Sequence, residues 1–167
     1  MIRQVEERDL PVLARMEEEI FQGSSWSLEV LQAELHAPAR TYLACEEEGG
    51  ILAYGGFWFN GEEAELMTIG VAPSARHRGL GRSLLTELFD QAREQGAGQM
   101  FLEVRVDNDP ALGLYRNMGF RQMGLRRRYY QPEGIDAFTM VKDLPRSLGP
   151  VGGDRNGLGK ESVTDNE

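Results

Sequence analysis

The chain has 167 residues, one domain's worth, with 41% apolar residues and a formal charge of −9 from 27 acidic against 18 basic side chains. That balance lacks the basic footprint that grips nucleic-acid phosphates, no apolar run reaches the roughly 18 residues of a membrane span, and no charged, apolar and small-residue series opens the chain as a secretory signal. One cysteine, Cys45, excludes an internal disulfide or CxxC site, and two histidines, His36 and His77, are too few for a histidine-rich metal centre, so a soluble, cytoplasmic, one-domain protein is expected.

In chain order, Ile2–Val5 predicts a short strand. Asp9 is placed to cap a helix that gathers Leu10, Leu13, Met16, Glu17 and Ile20 near one face, with Pro11 tolerated in the first turn. Ser27 caps a second helix that runs to about His36, and Pro38 follows its end. Thr41–Glu47 and Ile51–Phe59 read as strands joined at Gly49–Gly50, and Ala64–Val71 as a third strand after the Asn60–Gly61 turn. Leu80–Gln95 carries a helical apolar stripe ended by Gly96. Met100–Val106 is a strand, Asp109–Met118 a helix with Asp109 as cap and Pro110 at its first position, and Arg121–Tyr130 and Ala137–Val141 are the last two strands. Strands early and alternating strand and helix late imply a mixed α/β or α+β fold over residues 1–146. Residues 147–167 hold five of the 20 glycines and no aromatic residue, and read as a disordered tail. Setting that tail aside leaves −7 on residues 1–146, so the acidity belongs to the folded part.

Three features carry chemistry. Between the third strand and the long helix lies Arg76-His77-Arg78-Gly79-Leu80-Gly81-Arg82, where glycines at a helix start let backbone N–H groups approach an anion inside a local basic cluster. It is not a Walker A loop, because Arg82 follows Gly81, nor a dinucleotide fingerprint, because Leu84 stands where the third glycine belongs. Glu103 interrupts the apolar strand, facing with Phe101 and Arg105 away from Met100, Leu102 and Val104; it suits a general base, or else an ordinary surface pair with Arg105. Tyr115 shares a helix face with Ala111, Leu114 and Met118, as a core tyrosine or as an acid. The run Arg126-Arg127-Arg128-Tyr129-Tyr130 is the one segment that would suit RNA, against the overall charge.

Taken together, Arg76-His77-Arg78-Gly79-Leu80-Gly81, Leu102-Glu103-Val104-Arg105, Asn108, Leu114-Tyr115 and Gly119-Phe120 resemble the motifs of the GCN5-related N-acetyltransferase (GNAT) family over about residues 1–143. Gly79-Leu80-Gly81-Arg82 and Arg126–Tyr130 are similar to its ribosomal-protein-alanine branch, the RimI type. The resemblance implies a twisted sheet of six or seven strands, splayed at its centre to admit acetyl-CoA and flanked by about four helices. It places the pantetheine arm on the backbone of Ile69, Gly70 and Val71 and the pyrophosphate on Arg76, His77, Arg78, Gly79, Leu80, Gly81 and Arg82. It implies that Asn108 touches the cofactor, that Glu103 is the base and Tyr115 the acid, and that no metal takes part. By the same resemblance Trp26, Tyr129 and Tyr130 are expected to line a groove for an N-terminal peptide, that of small-subunit ribosomal protein number eighteen, and a monomer or weak dimer is expected. On the peptide side the sequence departs from the branch: Ser25 stands where a proline precedes the tryptophan, and Arg128 where an asparagine is expected. Another acceptor amine (a lysine, polyamine or small metabolite) and a non-catalytic CoA-binding module remain as alternatives.

Overall fold

The computed structural model describes residues 1–145. In order it contains β1 (Ile2–Gln4), α1 (Leu10–Ile20), α2 (Leu28–His36), β2 (Arg40–Glu47), β3 (Gly50–Phe59), β4 (Ala64–Val71), α3 (Leu80–Gln95), β5 (Gln99–Arg105), α4 (Asp109–Asn117), β6 (Arg121–Tyr130) and β7 (Ile135–Asp143), with single 3₁₀ turns at Glu7–Asp9 and Pro73–Ala75. The expected boundary at residue 146 and the glycine-rich tail lie outside the described residues. All seven strands form one sheet in the order β1-β2-β3-β4-β5-β7-β6, the mixed α+β architecture expected.

Alternation along the strands feeds two cores. On one face Leu43, Phe57, Leu66, Met100 and Leu102 pack under α3 and α4; on the other Tyr42, Ala44 and Tyr54 pack under α1 and α2. The close approach of β2 to β3 requires Gly56, where a Cβ would fall 2.2 Å from the Tyr42 ring and 2.5 Å from the Thr41 carbonyl oxygen. Every strand pair is antiparallel except β4 and β5, which run parallel and are joined only through Ala64↔Met100 and Glu65↔Phe101. Beyond those two pairs the strands part, and the sheet is open at its middle.

Three local expectations are corrected. Asp9 stands at the start of α1 but does not cap it; its carboxylate takes a two-pronged contact from Arg3 (2.8 and 2.9 Å) and the Glu6 N–H (2.7 Å). An arginine fork outcompetes a single backbone donor, and it holds the Asp9 carboxyl below the usual carboxylate range. The cap of α4 is Asn108, whose side-chain oxygen accepts the Ala111 N–H at 3.2 Å, which makes Asp109 the first helical residue and Pro110 the second. The β2–β3 turn is Glu48–Gly49, and Gly50 already belongs to β3. The expected Ser27 cap of α2 is present, its hydroxyl accepting the Val30 N–H at 3.2 Å.

Candidate active site

The parting of β4 from β5 leaves one edge of β4 without a strand partner. Ile69, Gly70 and Val71 pair on their other side with Gly55, Tyr54 and Ala53 of β3, so their remaining backbone groups face the gap. A bulge helps to set this edge: Thr68 opposes Gly56 and Leu66 opposes Phe57, which leaves Met67 extra and reverses the alternation beyond it. Ile69 and Val71 therefore turn to the α3 side, while Gly70 turns to α1, where a Cβ would meet Ile20 at 3.0 Å and Phe21 at 3.4 Å.

At the end of β4 the chain makes its 3₁₀ turn and enters α3. Gly79, the residue before the helix, has φ +80°, the left-handed conformation that glycine adopts without strain. No described side chain caps the helix, so the amide groups of its first turn have no side-chain acceptor. Gly81 is buried, with the Leu114 side chain of α4 3.4 Å from where a Cβ would stand, an ordinary contact distance. Of the basic cluster, Arg78 is spent on Glu47 at the end of β2 (2.8 and 2.9 Å), and Arg76 lies near the Val71 carbonyl (3.4 Å). Arg82 extends from the first turn itself, and His77 precedes it with φ +65°.

On the α1–α2 side of the sheet a cleft of about 370 Å³ is lined by Glu65, Phe101, Glu103, Arg126, Tyr129 and Thr139, among others. Glu103 faces into it as its strand alternation predicts, with its side chain 18% exposed. It does not pair with Arg105, which bridges to Asp107 (3.1 Å). Both Glu103 oxygens are engaged from β6 instead: Oε1 accepts the Tyr129 hydroxyl at 3.3 Å, and Arg126 stands 3.5 Å from Oε2. A bulge in β6 makes this possible, since Arg127, Arg128 and Tyr129 together oppose only Asp136, whose carboxylate takes the Arg128 N–H at 2.8 Å. Arg126 also lies over the Tyr129 ring, 5.1 Å from its centroid, and Tyr129 meets Tyr130 edge-on. Burial, then the charges of Tyr129 and Glu103, push the Tyr130 phenol up to about 12.

Tyr115 lies on the opposite side of the sheet, its ring buried and edge-on to Phe120. Burial, and after it Tyr130, holds its phenol well above the usual tyrosine range. Among the described residues nothing accepts a hydrogen bond from its hydroxyl, and none of their sealed side-chain nitrogens or oxygens lacks a partner. The hydroxyl therefore opens onto accessible space. Tyr130 lies in electrostatic range of both Tyr115 and Glu103. Asn108 spends its side-chain oxygen on α4 and keeps its amide hydrogens free of that cap.

The sequence and the fold have counterparts in known proteins. The sequence model of the acetyltransferase (GNAT) family matches residues 6–120. The chain belongs to the GNAT family. Like other members it is an acyltransferase. It is 44% identical over 135 residues, covering 78% of this chain and 84% of the relative, to the N-alpha-acetyltransferase RimI of Mycobacterium tuberculosis. The crystal structure of the ribosomal-protein-S18-alanine N-acetyltransferase from Escherichia coli superposes with TM-score 0.80 at 28% identity, covering 90% of this chain and 97% of that one. That of the ribosomal-protein-alanine N-acetyltransferase from Brucella melitensis gives 0.74 at 29%, covering 86% and 99%.

Of the expected peptide-side residues of this GNAT domain, Tyr129 and Tyr130 come together at Glu103, while Trp26 is half-buried and packs against the core of α1 and α2, on the same side of the sheet. Sequence reasoning missed what holds Trp26. Glu17, 1% exposed, accepts the Trp26 N–H at 2.8 Å and the Tyr54 hydroxyl, tying the α1–α2 segment to β3. Burial raises the Glu17 carboxyl, and the two donors oppose the rise. Glu17→Ala leaves a half-buried N–H and a buried hydroxyl unpaired, so a loss of about 3 kcal/mol is expected in urea unfolding followed by circular dichroism. A loss below about 1 kcal/mol would show that the segment is held some other way. The second residue missed is Glu65, whose signal was a carboxylate alternating with Ala64 and Leu66 on a strand with helices on both faces. Among the described residues no group of three or more His, Cys, Asp and Glu side chains could hold a metal, and no helix is long and apolar enough to cross a membrane.

Proposed function

We propose that the chain acetylates the N-terminal α-amine of a cytoplasmic protein, with acetyl-CoA as donor, and that its acceptor is the N-terminal alanine of ribosomal protein S18. The observation that carries this reading is Glu103 at an open cleft beside the gap between β4 and β5, with Tyr115 presented from the other side of the sheet. The names of the relatives in Mycobacterium tuberculosis and Escherichia coli support the acceptor class.

The chain's own groups fit the donor. The uncapped first turn of α3, with Gly79 left-handed and Arg82 on the helix, suits a pyrophosphate. The unpaired edge of Ile69–Val71 offers backbone groups to an amide-bearing arm. Arg76, His77, Arg78, Leu80, Gly81 and Asn108 complete the expected cofactor side. Acetyl-CoA, when bound, supplies the acetyl group as a thioester. Glu103 takes the proton from the attacking amine, directly or through a water, and Tyr115 gives one to the departing sulfur. An α-amine, with a pKa of about 7.7–8.0, is roughly a tenth neutral at pH 7; a lysine at about 10.4 is less than a thousandth neutral. One carboxylate base therefore serves an N-terminus far better than a lysine. The chain's acidity, −9, draws a basic acceptor.

The test is mass spectrometry on an S18 N-terminal peptide incubated with the protein and acetyl-CoA, beside peptides starting with Met, Gly and Ser and free polyamines. The alanine peptide is expected to gain an acetyl group at its α-amine fastest. Preferential acetylation of polyamines or lysine side chains overturns the acceptor, and thermal stabilisation by acetyl-CoA without product on any amine reduces the protein to a CoA-binding module.

A further inference from the structure

The cleft holds two inward-facing glutamates, and they are not equivalent. Glu65 on β4 sits in register with Phe101 of β5, so Glu103, two residues on, shares its face of the sheet. Both oxygens of Glu103 are engaged by Tyr129 and Arg126. Glu65 is half-buried in the same cleft, and no described residue forms a hydrogen bond or ion pair with it. Burial, and after it the charge of Glu103, raises its carboxyl; Arg126 of β6 and Arg40 of β2 work against the rise, and Glu34 of α2 adds to it. Glu63, just before β4, adds a third carboxylate to the lining. A half-buried carboxylate without a partner is costly, and a cation seated against it relieves that cost.

We propose that Glu65 is a specificity residue that receives the acceptor's α-amine in its protonated form, beside Glu103. This inference rests on the reading of the chain as an α-amine acetyltransferase. Most acceptor N-termini arrive as ammonium at pH 7, and an ammonium has three donors and no acceptor, so it needs free carboxylate oxygens. Glu65 supplies them, while Glu103 is occupied until it exchanges a partner for the amine. Phe101, between the two, walls the cleft with an apolar ring.

The test compares wild type with Glu65→Gln, which keeps size and polarity. In steady-state kinetics on the alanine peptide, the acceptor KM is expected to rise about tenfold, the loss of one charge-assisted contact, with the acetyl-CoA KM unmoved. In wild type the acceptor KM climbs as pH passes about 8 and the ammonium disappears, whereas in Glu65→Gln it stays flat. In the presence of CoA, which has no acetyl group to transfer, binding of the unmodified alanine peptide at pH 7 weakens about tenfold in Glu65→Gln, and binding of the neutral N-acetylated peptide does not change. Equal weakening of both peptides, an unchanged acceptor KM, or a KM slope that survives in the variant overturns the role of Glu65. A wild-type protein that acetylates no α-amine overturns the underlying reading instead, a separate outcome.

Discussion

Replacing Glu103 with glutamine is expected to lower kcat on the alanine peptide at pH 7 by about a hundredfold or more, the range of a positioned general base. The variant keeps the size of the side chain and an oxygen for the Tyr129 hydroxyl. What it loses is the place for the amine's proton. Arg126 loses a counter-ion but is itself more than half exposed, so a stability change within about 1 kcal/mol is expected. The deficit should shrink as pH rises from about 7 to about 9, because the amine then sheds its proton to solvent before it arrives. Steady-state kinetics over that range, with the acetyl-CoA dissociation constant measured alongside, decide the matter. A variant that keeps half of wild-type kcat at pH 7 places the base elsewhere. One that loses activity together with acetyl-CoA binding shows a distorted site, not a missing base.

The distinction between Glu103 and its neighbours was only partly legible in the sequence. The alternation of Met100, Leu102 and Val104 against Phe101, Glu103 and Arg105 is a property of one strand, and the structure repeats it residue for residue. Glu17 likewise fell on the apolar face of its helix with Leu13 and Met16, and that is where it is buried. What one strand cannot state is which groups the neighbouring strands bring. Arg105 was the obvious partner of Glu103 by spacing, yet a bulge in β6 delivers Arg126 and Tyr129 to it, and Arg105 turns to Asp107. A bulge is a two-strand event, in which one chain carries residues that its partner does not match. The same holds for Met67, which reverses the phase of β4 so that Glu65 faces the cleft while Ile69 and Val71 face α3. The apolar spacing 64, 66, 69, 71 carried that reversal, but as a departure from period two rather than as a location. Competition explains the misplaced caps: Asp9 had the right type and position, and Arg3 took it. The glycine turn was legible because its constraint is local, a left-handed Gly79.

Tyr115→Phe separates packing from proton transfer more cleanly than any other change in this site. The ring keeps its edge-on contact with Phe120, 5.6 Å between centroids, and its place in the core. The hydroxyl that is removed has no partner among the described residues, so no hydrogen bond is broken and Tm should shift by no more than a degree or two. In the proposed reaction that same hydroxyl protonates the departing sulfur, and its loss should lower kcat by about a hundredfold, with acetyl-CoA binding retained. Because burial holds the phenol well above its ordinary value, Tyr115 stays protonated through neutral and mildly alkaline pH, and its ionisation should draw no falling limb in kcat below about pH 10. Burial also opposes the phenolate that donation would create, so the step requires the sulfur's proton affinity to be raised in the same sheltered gap. The requirement can be measured. An acyl donor whose leaving thiol is more acidic needs its proton less, so the ratio of wild-type to Tyr115→Phe kcat should fall as the leaving thiol's pKa falls. A ratio indifferent to the leaving group would remove Tyr115 from the proton transfer, and leave the open hydroxyl as a contact to the cofactor only.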